Sequence, residues 1–357
     1  MDSDDPIVVD TARSATLQQV MEQLADERLI YVGETHTAYE DHLIQLDVLR
    51  AMAKNPQGLA LGVEWFQTRF QTVLDDYLAG RISESSFLRD VEYFLRWRFD
   101  YRLYRPIIQF AKDHGIPIIA LNAPRELTDQ IRKLGVNGLP EEFSRQLPGD
   151  YDFSDKAYEA ALREVFEQHQ SDDKEFQRFL EVQLTWDETM ASGVAAYLQA
   201  NPNGRILVLA GRGHIGGRSG IPNRVTRRTG IKGKTIASYS RTPGGPFAAA
   251  DYLVLASEKS LPPAGLMRVM LDERDGGVYV SGFTQGSPAE EAGVEKGDQI
   301  TAIGDAEIKN YTDVKLEMID KKPGDPVVVT VKRESLVLGE RTVKARFDLT
   351  GPTMRAH

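Results

Sequence analysis

The chain has 357 residues and a formal net charge of −10, which argues against a general nucleic-acid binder because phosphate binding relies on a basic surface. It contains no cysteine, and this excludes disulfides, thiolate metal sites and cysteine nucleophiles. With 41% hydrophobic residues and no apolar run long enough to cross a bilayer, the composition is typical of a globular protein. The length allows two domains, or one large core with an appendage.

The first ten residues, MDSDDPIVVD, are acidic and show no targeting pattern. Two interpretations are open at this point: a cytosolic protein, or an exported protein whose signal has been replaced by Met1. The absence of cysteine does not decide between them, because proteins of either compartment can lack disulfides.

Short aliphatic runs alternate with helix-like segments through most of the chain. The runs that predict buried strands are 29–32, 59–63, 116–121, 206–209 and 252–255. The segments with helical spacing are 41–53, 104–114 and 155–199, the last long enough for two helices. Strands that alternate with helices predict an α/β fold with a mostly parallel sheet flanked by helices.

The pattern changes near residue 260, where SLPPAG has the composition of a linker. Many short strand-like runs follow, together with the helix-like TDVKLEMIDKK and the strand pair PVVVTVKRE and ERTVKARFDL. We therefore predict an α/β domain over residues 1–258, a linker over 259–263, a small β-rich domain over 264–349 and a tail over 350–357.

Polar side chains follow four of the predicted strands. In order along the chain, Glu34 and His36 follow the first of these strands, Glu64 the second, Asn122 the third, and Arg212 and His214 the fourth. A single Glu or His in such a position is more often a helix-cap partner, a solvated charge or a satisfied core group. The carboxyl ends of parallel strands share one edge, however, and ligands bind at that edge. Four such strand ends together therefore favour a functional site.

His42 begins a predicted helix six residues after His36, and it faces either this site or solvent. The acidic Glu40 and Asp41 beside it have a simpler explanation, because negative charge at the start of a helix is favourable to the helix dipole.

Residues 89–106, RDVEYFLRWRFDYRLYRP, interleave arginines with aromatic residues. The cations are Arg96, Arg98, Arg102 and Arg105, and the rings are Tyr93, Trp97, Tyr101 and Tyr104. The commoner interpretation is an amphipathic helix whose aromatic stripe belongs to the core. The functional interpretation is a wall for a flat, anionic, aromatic ligand, with rings to stack on it and guanidinium groups for its carboxylates.

On these residues the chain resembles the ChaN-like haem-binding uptake family, within the wider Tiki and erythromycin-esterase superfamily. The resemblance spans roughly residues 15–255, and its carriers are VGETHTAYEDHLIQLDVL, LALGVEWFQTRFQTVLDDYLAG, YRLYRPIIQFAKDHGIPIIALNAP and RILVLAGRGHIGG. Relatives share a Gly-Glu…His turn, a Glu after the second strand and a late His. The matching positions here are Glu34, His36, Glu64 and His214.

The resemblance implies two different activities. ChaN-like proteins are exported, often lipid-anchored, and bind haem in iron acquisition through a tyrosine, for which the open positions here are Tyr39, Tyr93, Tyr101 and Tyr104. The Tiki and esterase branches hydrolyse bonds with the Glu/His cluster as metal ligands or general base. Under that alternative Glu34 and Glu64 would be catalytic, and Zn²⁺ or Mn²⁺ would be the metal.

Haem binding needs an apolar slot, one or two iron ligands and cations for the propionates. The residues expected to form the haem or metal site are Glu34, His36, His42, Glu64, Arg212 and His214, with Arg96 and Arg98 as propionate contacts. A homodimer would cover the macrocycle more completely than one copy.

Residues 264–349 resemble a bacterial PDZ domain, on GSPAEEAGVEKGDQITAIG and KPGDPVVVTVKRE. The resemblance implies that Gly265, Leu266 and Met267 form the loop whose N–H groups bind a peptide's terminal carboxylate. The peptide would then add as a strand beside that loop. A small β domain that only packs on its neighbour is the alternative.

We therefore predict a haem-binding protein of the cell envelope, with a PDZ module that docks a peptide or a partner protein. Its expected location is periplasmic or associated with the outer membrane through a lipid anchor that this chain lacks. The alternatives are a metal-dependent hydrolase and a scaffold whose active part is the PDZ module alone.

Overall fold

The computed structural model describes residues 14–167, 172–239, 249–335 and 339–352. The chain divides into two compact units, Met1–Ser260 and Leu261–His357. The first is an α/β layer structure and the second is β-rich, so the fold class predicted from the sequence is confirmed.

The first unit contains six described strands and twelve described α-helices. Its strands are β1 (Leu29–Glu34), β2 (Leu59–Gln67), β3 (Ile118–Asn122), β4 (Arg205–Gly211), β5 (Lys234–Ser238) and β6 (Tyr252–Val254). Its helices are α1 (Leu17–Gln23), α2 (Tyr39–Met52), α3 (Gln71–Leu78), α4 (Glu84–Asp90), α5 (Tyr93–Arg96), α6 (Tyr101–Asp113), α7 (Arg125–Leu134), α8 (Glu141–Ser144), α9 (Lys156–Glu167), α10 (Asp173–Ala200), α11 (Arg212–Ile215) and α12 (Ile221–Thr229).

The six strands form one parallel sheet in the order β3-β2-β4-β1-β5-β6. Every residue of β1 and β4 is buried, because helices cover both faces of the sheet and the strands are continuous aliphatic runs. The register pairs Leu29 with Ile206 and Glu34 with Gly211. The carboxyl ends of β1 and β4 therefore lie side by side in the middle of the sheet.

Strand β5 is missing from the sequence-based prediction. Its sequence KTIAS contains a single large apolar residue, Ile236, so it lacks the aliphatic run that identifies the other buried strands. It becomes a strand because it pairs with β1, with Val32 level with Ile236.

Residues 89–106 form three helices instead of the single amphipathic helix that the spacing predicts. Two residues adopt left-handed backbone conformations that interrupt it, Glu92 before α5 (φ 52°) and Arg98 before α6 (φ 72°). The break redirects the chain, and Trp97 and Phe99 then project from the short connection between α5 and α6.

The second unit is an antiparallel sheet with two helices. Its elements are β7 (Val269–Arg274), β8 (Gly277–Phe283), α13 (Pro288–Glu291), β9 (Gln299–Ile303), β10 (Ala306–Glu307), α14 (Tyr311–Met318), β11 (Pro326–Ser335) and β12 (Gly339–Asp348). The strand order is β12-β11-β9-β8-β7, with β10 paired to β9. A core that includes Val278, Ile300 and Val331 holds this unit together, and β7 lies at the edge of its sheet.

Candidate functional site

The carboxyl edge of the parallel sheet brings together four side chains that we call the rim cluster: Glu34, His36, Glu64 and His214. Gly211 lies at the centre of this cluster, and its N–H donates to Glu64 Oε2 at 2.6 Å. A β-carbon at position 211 would lie 3.0 Å from His36 and 3.5 Å from Glu64. Glycine at the end of β4 therefore allows the two side chains to approach each other.

Glu34 and His36 form the first pair of the cluster. The carboxylate of Glu34 is fully buried, and its Oε1 accepts the N–H of His36 Nδ1 at 2.6 Å. Burial opposes the charged imidazole, but the hydrogen bond that His36 donates to Glu34 and the charge of Glu64 raise the pKa of His36 above its ordinary value. The side chain of His36 remains 29% exposed, so this imidazole is accessible from outside.

Glu64 and His214 form the second pair, together with Asp187. His214 Nδ1 lies 2.7 Å from Asp187 Oδ1, and its Nε2 lies 3.4 Å from Glu64 Oε1. Burial opposes charge on His214, yet the two carboxylates raise its pKa well above the ordinary value. Burial alone would raise the pKa of Glu64, but the charges of His214 and His36 lower it to about 2. The imidazolium of His214 is thus held between two carboxylates.

Asp187 was missed by the sequence analysis, although it is fully buried in α10. Its Oδ2 accepts the hydroxyl of Tyr158 at 2.5 Å while its Oδ1 holds His214. A signal was available in the helical spacing. Asp187 falls on the apolar stripe of α10, in register with the buried residues Leu180, Leu184, Ala191, Val194 and Leu198. A carboxylate on such a stripe needs a buried partner.

The remaining polar residues predicted at this edge lie around the rim cluster. His42 is buried beneath it, with Nε2 at 3.2 Å from the carbonyl oxygen of His36 and 4.0 Å from Glu34. Asn122 has a buried Oδ1 with no hydrogen-bond partner among the described residues. Arg212 begins α11, and its backbone packs against Gly33, where a β-carbon would lie 3.1 Å from the Cα of Arg212.

Two rings, Trp97 and Phe99, form what we call the aromatic wall beside His36. The centroid of the imidazole lies 4.9 Å from that of Trp97 and 4.6 Å from that of Phe99. Between them Arg98 is exposed and makes no ion pair with any described residue. The accessible imidazole is therefore flanked by aromatic surface, and the exposed Arg98 lies between the two rings in the sequence.

The tyrosines of 89–106 belong to the core. Tyr93, Tyr101 and Tyr104 are at most 1% exposed, and burial raises the pKa of each hydroxyl. The interpretation of the aromatic stripe as part of the core therefore holds for these three residues. They do not lie on the surface that a haem would reach. Tyr39, the first residue of α2, is only partly buried.

Arg96, predicted as a propionate contact, is occupied by other carboxylates. Its Nε donates to Glu92 at 2.6 Å, its Nη2 donates to Glu126 at 2.7 Å, and its side chain is 13% exposed. Of the two arginines predicted for propionates, Arg98 is the one whose charge faces solvent.

The metal alternative gains no support from this geometry. Among the described residues, no group of three or more His, Asp or Glu side chains is arranged to hold a metal ion. The donor atoms at the rim are instead paired with one another, His36 with Glu34 and His214 with Asp187 and Glu64.

In the second unit, a groove of about 720 Å³ lies between β7 and α14. Two of the three amides predicted to bind a carboxylate are already used, since Gly265 donates to Lys321 O and Leu266 donates to Thr350 O, each at 2.8 Å. The amides of Met267 and Arg268 have no partner among the described residues. Of the three predicted amides, that of Met267 is therefore the one left without a partner among the described residues.

This chain belongs to the family described as haem-binding uptake, Tiki superfamily, ChaN, whose model matches residues 20–225. A PDZ domain model matches residues 265–343. No described helix is long and apolar enough to cross a membrane.

Three similar proteins illustrate these matches. The structure of ChaN of Campylobacter jejuni with cofacial heme binding is 17% identical, with a TM-score of 0.53 over 67% of this chain and 91% of that chain. The PDZ domain of a carboxy-terminal protease from Vibrio cholerae, solved with a peptide, is 16% identical over 26% of this chain and 99% of that chain, with a TM-score of 0.22. RETICULATA-RELATED 5, a chloroplastic protein of Arabidopsis thaliana, is 22% identical over 255 residues, which cover 61% of this chain and only 32% of that relative.

Proposed function

We propose that the α/β unit binds haem at the carboxyl edge of its sheet, against the exposed face of His36. The observation that carries this proposal is the contact of the exposed His36 with Trp97 and Phe99, on a connection that also carries the exposed Arg98. Membership of the ChaN family supports it independently.

The residues at this edge fit the chemistry of haem. A macrocycle needs flat apolar surface, which the aromatic wall offers, and its propionates need a cation, which Arg98 offers. Among the tyrosines proposed as iron ligands, Tyr39 is the one that is not buried in the core, and it lies three residues after His36. We assign Tyr39 as the tyrosine ligand and His36 as the imidazole beside it.

We extend the proposal to the biological setting. The protein would serve haem or iron acquisition from a periplasmic or outer-membrane-associated position, held there by a lipid anchor outside this chain. Two copies would cover the macrocycle together, because the aromatic wall of one unit covers a single face of a flat ligand. The cofacial haems named for the Campylobacter jejuni relative support this arrangement.

The second unit would dock the C-terminal peptide of a partner. Strand β7 is the edge strand of its sheet, and an open edge next to a groove allows a peptide to add as a further strand. The amides of Met267 and Arg268 would receive the terminal carboxylate.

A haemin titration of the full chain tests the haem proposal. We expect a saturable change in the Soret absorbance at simple stoichiometry, and we expect Tyr39→Phe to weaken haemin affinity by about 10-fold or more, because a direct iron ligand is lost. Tyr197→Phe is the matched control, since Tyr197 is a partly exposed tyrosine whose hydroxyl donates to Gly58 O, just before β2 at the opposite edge of the sheet.

Two results would contradict the proposal. A rise in absorbance that never saturates would mean unspecific adsorption of haemin to the protein. Equal losses of affinity in Tyr39→Phe and Tyr197→Phe would mean that Tyr39 does not hold the iron.

A further inference from the structure

The groove of the second unit has a direction that is fixed by its two walls. Gly265, just before β7, donates its N–H to Lys321 O, beyond the C-terminal end of α14. Tyr311, the first residue of α14, donates its N–H to Glu273 in β7 at 2.8 Å. Strand β7 and helix α14 are therefore antiparallel, and the carboxylate-binding loop lies at the C-terminal end of α14.

This direction sets the position of each residue of a docked peptide. With its carboxylate at the amides of Met267 and Arg268, the peptide's last side chain would lie in the part of the groove lined by Met267 and Met318. The side chain two positions earlier points to the same wall, about 7 Å further along the strand. On the helix, Val314 and Lys315 lie about 4.5–6 Å from Met318. The third residue from the peptide's end is therefore level with Lys315.

The groove wall changes character between these two positions. Near the loop the lining is mostly apolar, with Met267, Val269 and Met318 beside Arg268. Further along α14 the lining residues are Tyr311 and Lys315. Spacings of three and four residues place Val314, Lys315 and Met318 on one face of the helix with Tyr311.

Lys315 offers a positive charge that no described carboxylate neutralises. Its side chain is exposed, and its ammonium lies 5.2 Å from the ring centroid of Tyr311, with no ion pair to a described residue. Glu273 on β7 accepts the N–H of Tyr311 and makes no ion pair with Lys315. Arg268, at the loop, donates to Thr350 Oγ1 and to two backbone carbonyls, so it also lacks a carboxylate partner there.

We infer that the groove selects C-terminal peptides with an apolar last residue and an acidic residue two positions before it, recognised by Lys315. This inference rests on the proposed docking function. Recognition by Lys315 would add a selectivity that the apolar pocket alone does not provide, because charge complementarity discriminates between peptides of equal apolar area.

Fluorescence anisotropy on the full chain tests it. The probes are labelled six-residue peptides that end in valine and carry Asp, Asn or Lys two positions before it, together with the Asp peptide as a C-terminal amide. We expect the Asp peptide to bind about 2- to 5-fold more tightly than the Asn peptide, as for an exposed ion pair, and the Lys peptide to bind most weakly. The preference should shrink at high salt.

The variant Lys315→Gln distinguishes the contribution of this side chain from that of the rest of the groove. The variant should bind the Asn peptide as the native chain does and should lose its preference for Asp. Equal binding of the Asp and Asn peptides by the native chain, or an undiminished preference in Lys315→Gln, would overturn the inference while leaving peptide docking intact. Failure of every peptide, or equal binding of the amide, would overturn the docking function and this inference with it.

Discussion

Glu188→Gln is expected to destabilise the α/β unit by about 3–5 kcal/mol, the scale seen when one partner of a buried ion pair is removed. Glu188 in α10 is completely buried and receives three guanidinium groups from α12. Arg228 Nη2 lies 2.5 Å and Arg227 Nη2 lies 2.9 Å from its Oε2, and Arg224 Nε lies 3.2 Å from its Oε1. Glutamine keeps the size of the side chain but removes the charge that compensates these arginines.

Tryptophan fluorescence during urea unfolding measures this effect specifically, because the three tryptophans of the chain, Trp65, Trp97 and Trp186, all lie in the first unit. Glu141→Gln is the control, since Glu141 pairs with Arg145 at the surface with both side chains more than 70% exposed. The midpoint of that control should stay close to the native value. A Glu188→Gln midpoint as high as that of the control would contradict the account.

Asp187→Asn is expected to destabilise the same unit by about 3 kcal/mol near neutral pH, and to change how its stability depends on pH. Asp187 orients His214 and helps to raise its pKa well above the ordinary value of 6.5. Since the folded pKa exceeds the unfolded one, the charged pair contributes its full stability below pH 6.5 and loses it as the pH rises through the folded pKa. Asparagine reduces the rise in the pKa of His214. The difference in the free energy of unfolding between the native chain and Asp187→Asn should therefore be largest at acidic pH.

The measurement is the free energy of unfolding of both proteins from about pH 5 to about pH 9. Asp129→Asn controls for the loss of one negative charge, because Asp129 pairs with Arg132 and Arg125 at the surface of α7. If the free energies of the native chain and of Asp187→Asn stay parallel over the whole range, His214 does not depend on Asp187 for its charge.

Much of the fold was predictable because its central strands are buried on both faces. Such strands must be nearly all apolar, so β1, β2 and β4 appear in the sequence as aliphatic runs. The position of Glu34, His36, Glu64 and His214 at one edge then followed from parallel topology alone. The contact of His214 with Glu64, and the position of Gly211 against both His36 and Glu64, confirm that these strand ends converge in space.

Other features depend on contacts that no local pattern carries. Asp187 belongs to a long helix whose charged texture resembles a solvated surface, and only its place on the apolar stripe separates it from the neighbouring acids. The break at Arg98 is a property of the backbone, and it decides that Trp97 and Phe99 reach His36 while Tyr93 and Tyr104 stay in the core. The spacing of the interleaved Arg and Tyr residues predicts neither this break nor which rings reach His36.

The position of the iron tests the proposed function most directly. Crystals of the full chain grown with haemin, measured at the iron absorption edge, would locate it by anomalous scattering. We predict an iron peak at the carboxyl edge of the parallel sheet, within bonding distance of Tyr39 and beside the aromatic wall. An iron peak at another surface of the chain, with the edge at His36 free of haem, would contradict the central claim.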